Sequence, residues 1–263
     1  MKKTRLADKT EVYCINWREA QMLQEHIDGY FNEHINIKNN DTIIDIGANI
    51  GIFGLELSKR YEDINIFAFE PIKDIYTVLE KNSILSKNKN FKVYNYGVSD
   101  RTGEEEFNYF PNSPALSSST NEIAESKEDL ITALKGSLIH APKNWWWAQL
   151  IPTFLYPYIA KKLIENPVRT KCLIKTLSEI INLFSISQID LLKIDCEGNE
   201  LNVIDGINDE HWSIIKQIVI EVNDINGRFN YIHEKLSNSG YKIKVTKDPS
   251  LKGTNLINLF AKK

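Results

Sequence analysis

The stretch Asp41 to Leu57, DTIIDIGANIGIFGLEL, constrains this chain more than any other. TIIDI is a short run rich in β-branched residues, which suits a buried strand. The segment from Ile50 onward spaces Ile50, Phe53, Leu55 and Leu57 among small and polar residues, which suits a helix lying on that strand. Between them stand Gly47 and Gly51. A glycine at such a junction serves either a tight chain reversal with no ligand or the close approach of a nucleotide to backbone N–H groups at a helix start.

The next segment separates these readings. INIFAFEP, residues 64 to 71, is a second apolar strand that ends in Glu70. A carboxylate at the tip of the second strand, about 20 residues past the turn, is placed to accept both hydroxyls of a ribose. The glycine spacing, Gly47, Gly51 and Gly54 with Asn49 inside it, departs from the Gly-x-Gly-x-x-Gly of pyrophosphate-binding turns. Asp45, Asn49 and Glu70 suit a ligand with an ammonium group and a ribose but no phosphate. S-adenosyl-L-methionine has that chemistry.

Four segments in order, DIGANIGIF, FEP, GVSDRTG and LKIDCEGNE, resemble the FkbM family of S-adenosylmethionine-dependent methyltransferases, from about residue 41 to about residue 225. The resemblance implies an α/β fold of the class I methyltransferase type, with a Rossmann-like sheet of seven strands, the last antiparallel, and helices on both faces. It also implies methyl transfer to a hydroxyl oxygen. The family's habitual Thr-Leu-Asp-Glu stretch has its counterpart in TLSEI, with Ser178 where an Asp is usual, so the following helix is expected to be capped near Thr176 or Ser178.

Around these segments the chain divides. Residues 1–40 place Trp17, Met22, Ile27, Tyr30 and Phe31 in a pattern that suits one or two helices, a leader of the kind that covers the cofactor. Residues 41–110 and 169–263 form the cofactor-binding domain, with FKVYNYGVS read as a third strand and Ser99 and Asp100 at its end, near an adenine or in an ordinary turn. Residues 111–168 are an insertion, serine-rich at first and then aromatic through WWWAQLIPTFLYPY. It reads as a lid, an oligomer contact or an interfacial membrane anchor, with the lid favoured together with some role in homo-oligomers. Its apolar run is too short, and too broken by Pro152 and Pro157, to span a bilayer. YKIKV and NLINLFAKK read as a terminal antiparallel hairpin.

IDLLKID, apolar almost throughout, is expected as a central parallel strand, and KQIVIEV as its neighbour. Ligands bind beyond the carboxyl ends of strands in such sheets, so Asp45, Glu70, Asp195 and Glu221 should share one rim. An alcohol needs either a base to take its proton or a cation to acidify it. Asp195, Glu197 and Glu221 are the catalytic candidates, and Asp195, Glu221 and Asn223 offer oxygen ligands for Mg2+ or Mn2+. Glu197 and Glu200 equally suit a helix start. Lys193 shares a strand face with Asp195 and is either its salt-bridge partner or a base. Cofactor-binding candidates are Asp45, Gly47, Asn49, Gly51, Phe53, Glu70, Ser99 and Asp195. His140 and His233 are isolated.

A net charge of −3, with charged residues at 25%, gives no cationic surface for nucleic acid. Cys14, Cys172 and Cys196 are too scattered for a disulfide framework or a zinc site, and no base is singled out beside Cys196. The N-terminus lacks the apolar stretch of a secretory signal, so a cytoplasmic protein is expected. The expected reaction is O-methylation of a small polar acceptor such as a sugar, a nucleotide sugar, a carrier-bound group or a natural product. An N-methyltransferase, a non-catalytic adenosyl-ligand protein and a Rossmann oxidoreductase are the alternatives.

Overall fold

A computed structural model describes residues 1–120, 127–141, 145–248 and 251–263. Parts of the serine-rich stretch (121–126) and of the segment before the tryptophans (142–144) lie outside the described residues. The chain opens with a hairpin, β1 (Lys2–Arg5) against β2 (Glu11–Cys14). The leader therefore contains one helix, not two, and a strand pair: Val12 and Cys14, both fully buried, alternate with half-exposed or exposed neighbours at the strand period of two. α1 (Trp17–Asp28) follows, capped by the Asn16 side chain on the Arg18 N–H. It buries Ala20, Gln24 and Ile27, spaced for one helical face.

β3 (Thr42–Ile46), α2 (Ile52–Arg60), β4 (Asn65–Phe69), α3 (Lys73–Leu85) and β5 (Phe91–Tyr94) then alternate as expected. The third strand is shorter than its sequence suggests. Asn95 turns the chain by donating its side-chain amide to the carbonyls of Glu70 and Pro71. β6 (Gly97–Val98) consequently leaves the main sheet and joins β7 (Gly103–Tyr109) and β8 (Val168–Lys175) in a separate three-stranded sheet. β7 and β8 bracket the insertion, whose described part holds α4 (Lys127–Ile139) and α5 (Tyr156–Leu163). α6 (Leu177–Leu183) is capped by Thr176, which accepts from the Glu179 N–H, while Ser178 is hydrogen-bonded to His211 instead.

β9 (Leu191–Ile194), α7 (Glu200–Asp205), β10 (Gln217–Asn223), α8 (Arg228–Asn238), β11 (Lys242–Thr246) and β12 (Leu256–Lys262) complete the chain. The main sheet has seven strands in the order β11-β12-β10-β9-β3-β4-β5, with β12 antiparallel to both its neighbours. The chain runs outward from β3 through β4 and β5 on one side and from β9 through β10 on the other. Their shared seam is the switch point at which such sheets open a ligand crevice.

Strand alternation decides which groups face that crevice. Ile44, Ile46, Leu192, Ile194, Ile218, Ile220 and Val222 point into one core, against α6 and α7. Ile43, Ala68, Leu191 and Val219 point into the other, beneath α1 and α2. Asp45, Glu70, Lys193, Asp195 and Glu221 take the alternation positions of this second face, at the carboxyl ends of the strands.

Gly47 ends β3 with φ +73°, and a Cβ built there would stand 1.7 Å from the Asp195 carbonyl oxygen. Neither the backbone conformation nor the space admits a side chain. Gly47→Ala is expected to cost at least about 2 kcal/mol, from the left-handed conformation and displacement of the β9 tip. Urea unfolding checks this, and an unchanged midpoint would remove the close approach of β3 to β9 from the account.

Candidate active site

At the seam the parallel register sets Asp45 directly beside Lys193. The Lys193 ammonium stands 3.0 Å from Asp45 Oδ1 and 3.4 Å from Asp195 Oδ2, and donates to the Gly47 carbonyl at 3.3 Å. It thus stands between two carboxylates as ion-pair partners while hydrogen-bonding one carbonyl. Burial opposes the charge, but the two carboxylates more than reverse this and hold the ammonium well above the ordinary lysine range. Lys193 is a fixed cation, not a base. Asp45 is fully buried, and burial raises its carboxyl against the pull of Lys193.

α1 and the turn after it complete the charge pattern from above. Tyr30, 1% exposed, donates its hydroxyl to Asp195 Oδ2 at 3.1 Å. His26, four residues earlier, places Nε2 3.1 Å from the Tyr30 hydroxyl and 3.1 Å from Glu221 Oε2. Burial disfavours the imidazolium, yet Glu221 and then Asp195 carry the ring up to about 9. One chain of contacts therefore runs from Asp45 through Lys193, Asp195, Tyr30 and His26 to Glu221.

Beside this chain lies a cleft of about 550 Å³, lined by Gly47, Asn49, Glu70, Gly97, Val98, Asp195 and Glu197 among others. Glu70 is 5% exposed; its Oε2 accepts the Asn49 N–H and its Oε1 the Ile72 N–H. These bonds aim the carboxyl at the cleft, while burial pushes it up to about 7. Each oxygen keeps a lone pair for a further donor. A second pocket shares Gly47, Asn49 and Asp195 with this cleft and adds His26, Phe53 and Lys193.

Glu197 lines the cleft with φ +50°. Burial, together with the carboxylates of Asp195, Glu221 and Glu200, lifts its carboxyl well above the ordinary range. Among the described residues no hydrogen-bonded donor holds it. Glu200 differs: it accepts the Gly198 N–H at 2.8 Å and faces Arg228 at 3.4 Å, as an acid at a helix start should.

Several expected roles move. Asp45, Gly51 and Ser99 lie outside the linings of both pockets. Asp45 is the counter-ion of Lys193, and Ser99 is fully buried, its N–H donating to the Lys175 carbonyl. The room left by Gly51 is closed by Leu79, and that left by Gly54 by the Phe91 ring, so these glycines serve packing rather than a ligand. The oxygen set expected for Mg2+ or Mn2+ does not converge either. Glu221 is paired with His26, and Asp195 with Lys193 and Tyr30. Among the described residues no group of three or more His, Cys, Asp or Glu is placed to hold a metal. The donor set does not fit an ion, and no step is assigned to one.

Cys196 stands near Glu200 with its thiol held high by burial, which is the wrong direction for a nucleophile. His140 is exposed, and His233 is half-buried against Phe229. His26 and Tyr30 are the site groups that the sequence did not single out as chemical. Their only signal is an i, i+4 pairing of a histidine and a tyrosine beside the apolar stripe of α1.

The seven-stranded sheet, with an acidic crevice at its switch point, has the fold of a Rossmann-like methyltransferase. The methyltransferase FkbM domain matches residues 45–243. The chain is 28% identical over 250 residues to methyltransferase sdnD of Sordaria araneosa, covering 90% of this chain and 88% of that protein. It is 28% identical over 263 residues to the 31-O-demethyl-FK506 methyltransferase FkbM of Streptomyces tacrolimicus, covering 98% and 96%. The solved methyltransferase FkbM from Methylobacillus flagellatus shares the fold, with a TM-score of 0.50 at 14% identity over 91% of this chain and 51% of that one. The chain belongs to the FkbM methyltransferase family and is an S-adenosylmethionine-dependent methyltransferase.

Breaking the buried pair should leave one charge without a partner. Lys193→Met is expected to destabilise the fold by about 3–5 kcal/mol. Restoring neutrality in Asp45→Asn with Lys193→Met should recover part of that loss in a double-mutant cycle. Purely additive losses would show that the two groups do not interact.

Proposed function

We propose that the enzyme methylates a hydroxyl oxygen of a small polar acceptor, with Glu197 as the proton acceptor. When bound, the cofactor supplies an electrophilic methyl carbon on a sulfonium. Glu70 holds the ribose hydroxyls, and Gly47, Asn49 and Asp195 hold the amino-acid end. Asp195 is kept in place by the Tyr30 hydroxyl and the Lys193 ammonium, so the charge facing the cleft does not wander. Displacement at carbon needs alignment above all, and an alcohol must also lose its proton as it attacks.

The observation that carries this reading is Glu197, which lines the cleft, has no hydrogen-bonded side-chain donor among the described residues, and has its carboxyl raised by burial and then by its carboxylate neighbours. A base with a raised pKa accepts a proton more readily, which an alcohol requires and a neutral amine does not. The relative from Streptomyces tacrolimicus is named for a 31-O-demethyl compound, which favours oxygen as the acceptor atom. Two segments cover the reaction. Pro114, Ala115 and Ser117 of the insertion line the cleft, the Ala115 N–H is accepted by Glu19 of α1, and Ser118 donates to the Glu197 carbonyl. Residues 1–40 and the start of 111–168 together act as the lid that keeps water out.

Glu197→Gln is expected to lower turnover by about 10²- to 10⁴-fold with S-adenosylhomocysteine affinity unchanged. The assay follows S-adenosylhomocysteine release over a panel of sugars, nucleotide sugars and polyhydroxylated natural products, with mass analysis of the methylated atom. The base must be ionised, so activity should fall as pH drops through a value above the ordinary carboxylate range, and the variant should lose that limb. Full activity in Glu197→Gln, or a methyl found on nitrogen, would overturn the reading.

A further inference from the structure

The insertion has two faces. Inward, Leu138, Trp145, Ala148 and Tyr156 form a small core. Trp145 also packs edge-on against Trp17 of α1 at 5.8 Å and donates its indole N–H to Gln21. Outside that core six large apolar side chains are exposed: Ile139 at 50%, Trp146 at 72%, Leu150 at 67%, Phe154 at 77%, Leu155 at 37% and Tyr158 at 61%. Scattered single residues of this kind are ordinary on a surface, whereas six within 20 residues of sequence are not.

The charge of the segment says what covers this face. From Leu130 to Ile164 the sequence contains Lys135, Lys143, Lys161 and Lys162 and no Asp or Glu, in a chain whose net charge is −3. Helical spacing places two of these lysines with the apolar groups. Lys135 precedes Ile139 by four residues on α4, and Lys161 follows Tyr158 by three on α5; both lysines are exposed. Lys162 reaches back over the Tyr158 ring while pairing with Glu165. An aromatic and aliphatic face rimmed by cations is what an anionic bilayer surface selects: rings enter the headgroup boundary and ammonium groups meet lipid phosphate. A symmetric pairing of two copies through the same face would set the lysine rim of one against that of the other.

We propose that this face, carrying Ile139, Trp146, Leu150, Phe154, Tyr158 and Lys161, docks the enzyme onto anionic membrane surfaces. The attachment is peripheral, because no helix among the described residues is long and apolar enough to cross a membrane. It also acts close to the site, since Trp145 anchors the segment to α1, the helix that delivers His26.

Co-sedimentation of the full chain with phosphatidylcholine vesicles, with and without about one third phosphatidylglycerol, tests the proposal. Binding is expected to the anionic vesicles only and to weaken with added salt. Lys135→Ala with Lys161→Ala should weaken it about thirtyfold. Trp146→Ala with Phe154→Ala should abolish it, with S-adenosylhomocysteine affinity retained in both variants as the check on folding. Equal or absent binding to the two vesicle types overturns the proposal. So does a result in which the aromatic variant converts a dimer to a monomer by sedimentation velocity while vesicle binding is never seen, which would give the face to a second copy.

Discussion

The active-site end of this sheet depends on one ammonium group. Lys193 of β9 lies at the seam with β3, where the chain's two directions of winding diverge, and its ammonium pairs with Asp45 and Asp195 and donates to the Gly47 carbonyl. Parallel strands whose tips carry carboxylates would otherwise repel one another at the seam. A buried ion pair need not add net stability over an apolar pair of the same volume. What it does here is fix register and orientation: Asp195 faces the cleft because Lys193 and Tyr30 hold it, and the β3 turn closes on β9 because Gly47 leaves room for a carbonyl.

The same arrangement explains why α1 belongs to the site rather than merely covering it. Two carboxylates, Asp45 and Asp195, face the one lysine, and His26 of α1 brings a second cation to Glu221. Asp195 and Glu221 are each held through one oxygen by protein partners, whereas Glu197 lines the cleft without a hydrogen-bonded side-chain partner among the described residues. The site is therefore built as a set of held charges with one group kept apart from them.

Much of this was legible in the sequence, for reasons that differ by element. TIIDI, INIFAF and IDLLKID are runs whose burial on both sheet faces forces apolar residues in sequence, so their strands and the carboxylates at their tips could be read directly. Lys193 beside Asp195 followed from alternation alone. The glycines were legible as a turn, but their reason lay in Asp195, Leu79 and Phe91, which are distant in sequence. Tyr30 and Asp195 are 165 residues apart, and no local pattern records that contact. The metal set failed for the same cause, because the partners that occupy its oxygens, His26 and Tyr30, lie on another element. The early hairpin was missed because its alternation occupies only Val12 and Cys14 in an otherwise polar stretch.

In the proposed complex a sulfonium nucleoside lies across the β3 and β4 tips, amino-acid end beside Gly47 and Asp195, ribose on Glu70. A crystal structure of the complex with S-adenosylhomocysteine, paired with calorimetry on Glu70→Ala, tests it most directly. The ribose hydroxyls should be found on the Glu70 carboxylate, and the variant should bind at least about tenfold more weakly, the loss of charged hydrogen bonds being about 1.5–3 kcal/mol. A ligand seated elsewhere, or an affinity untouched by the substitution, would contradict the account.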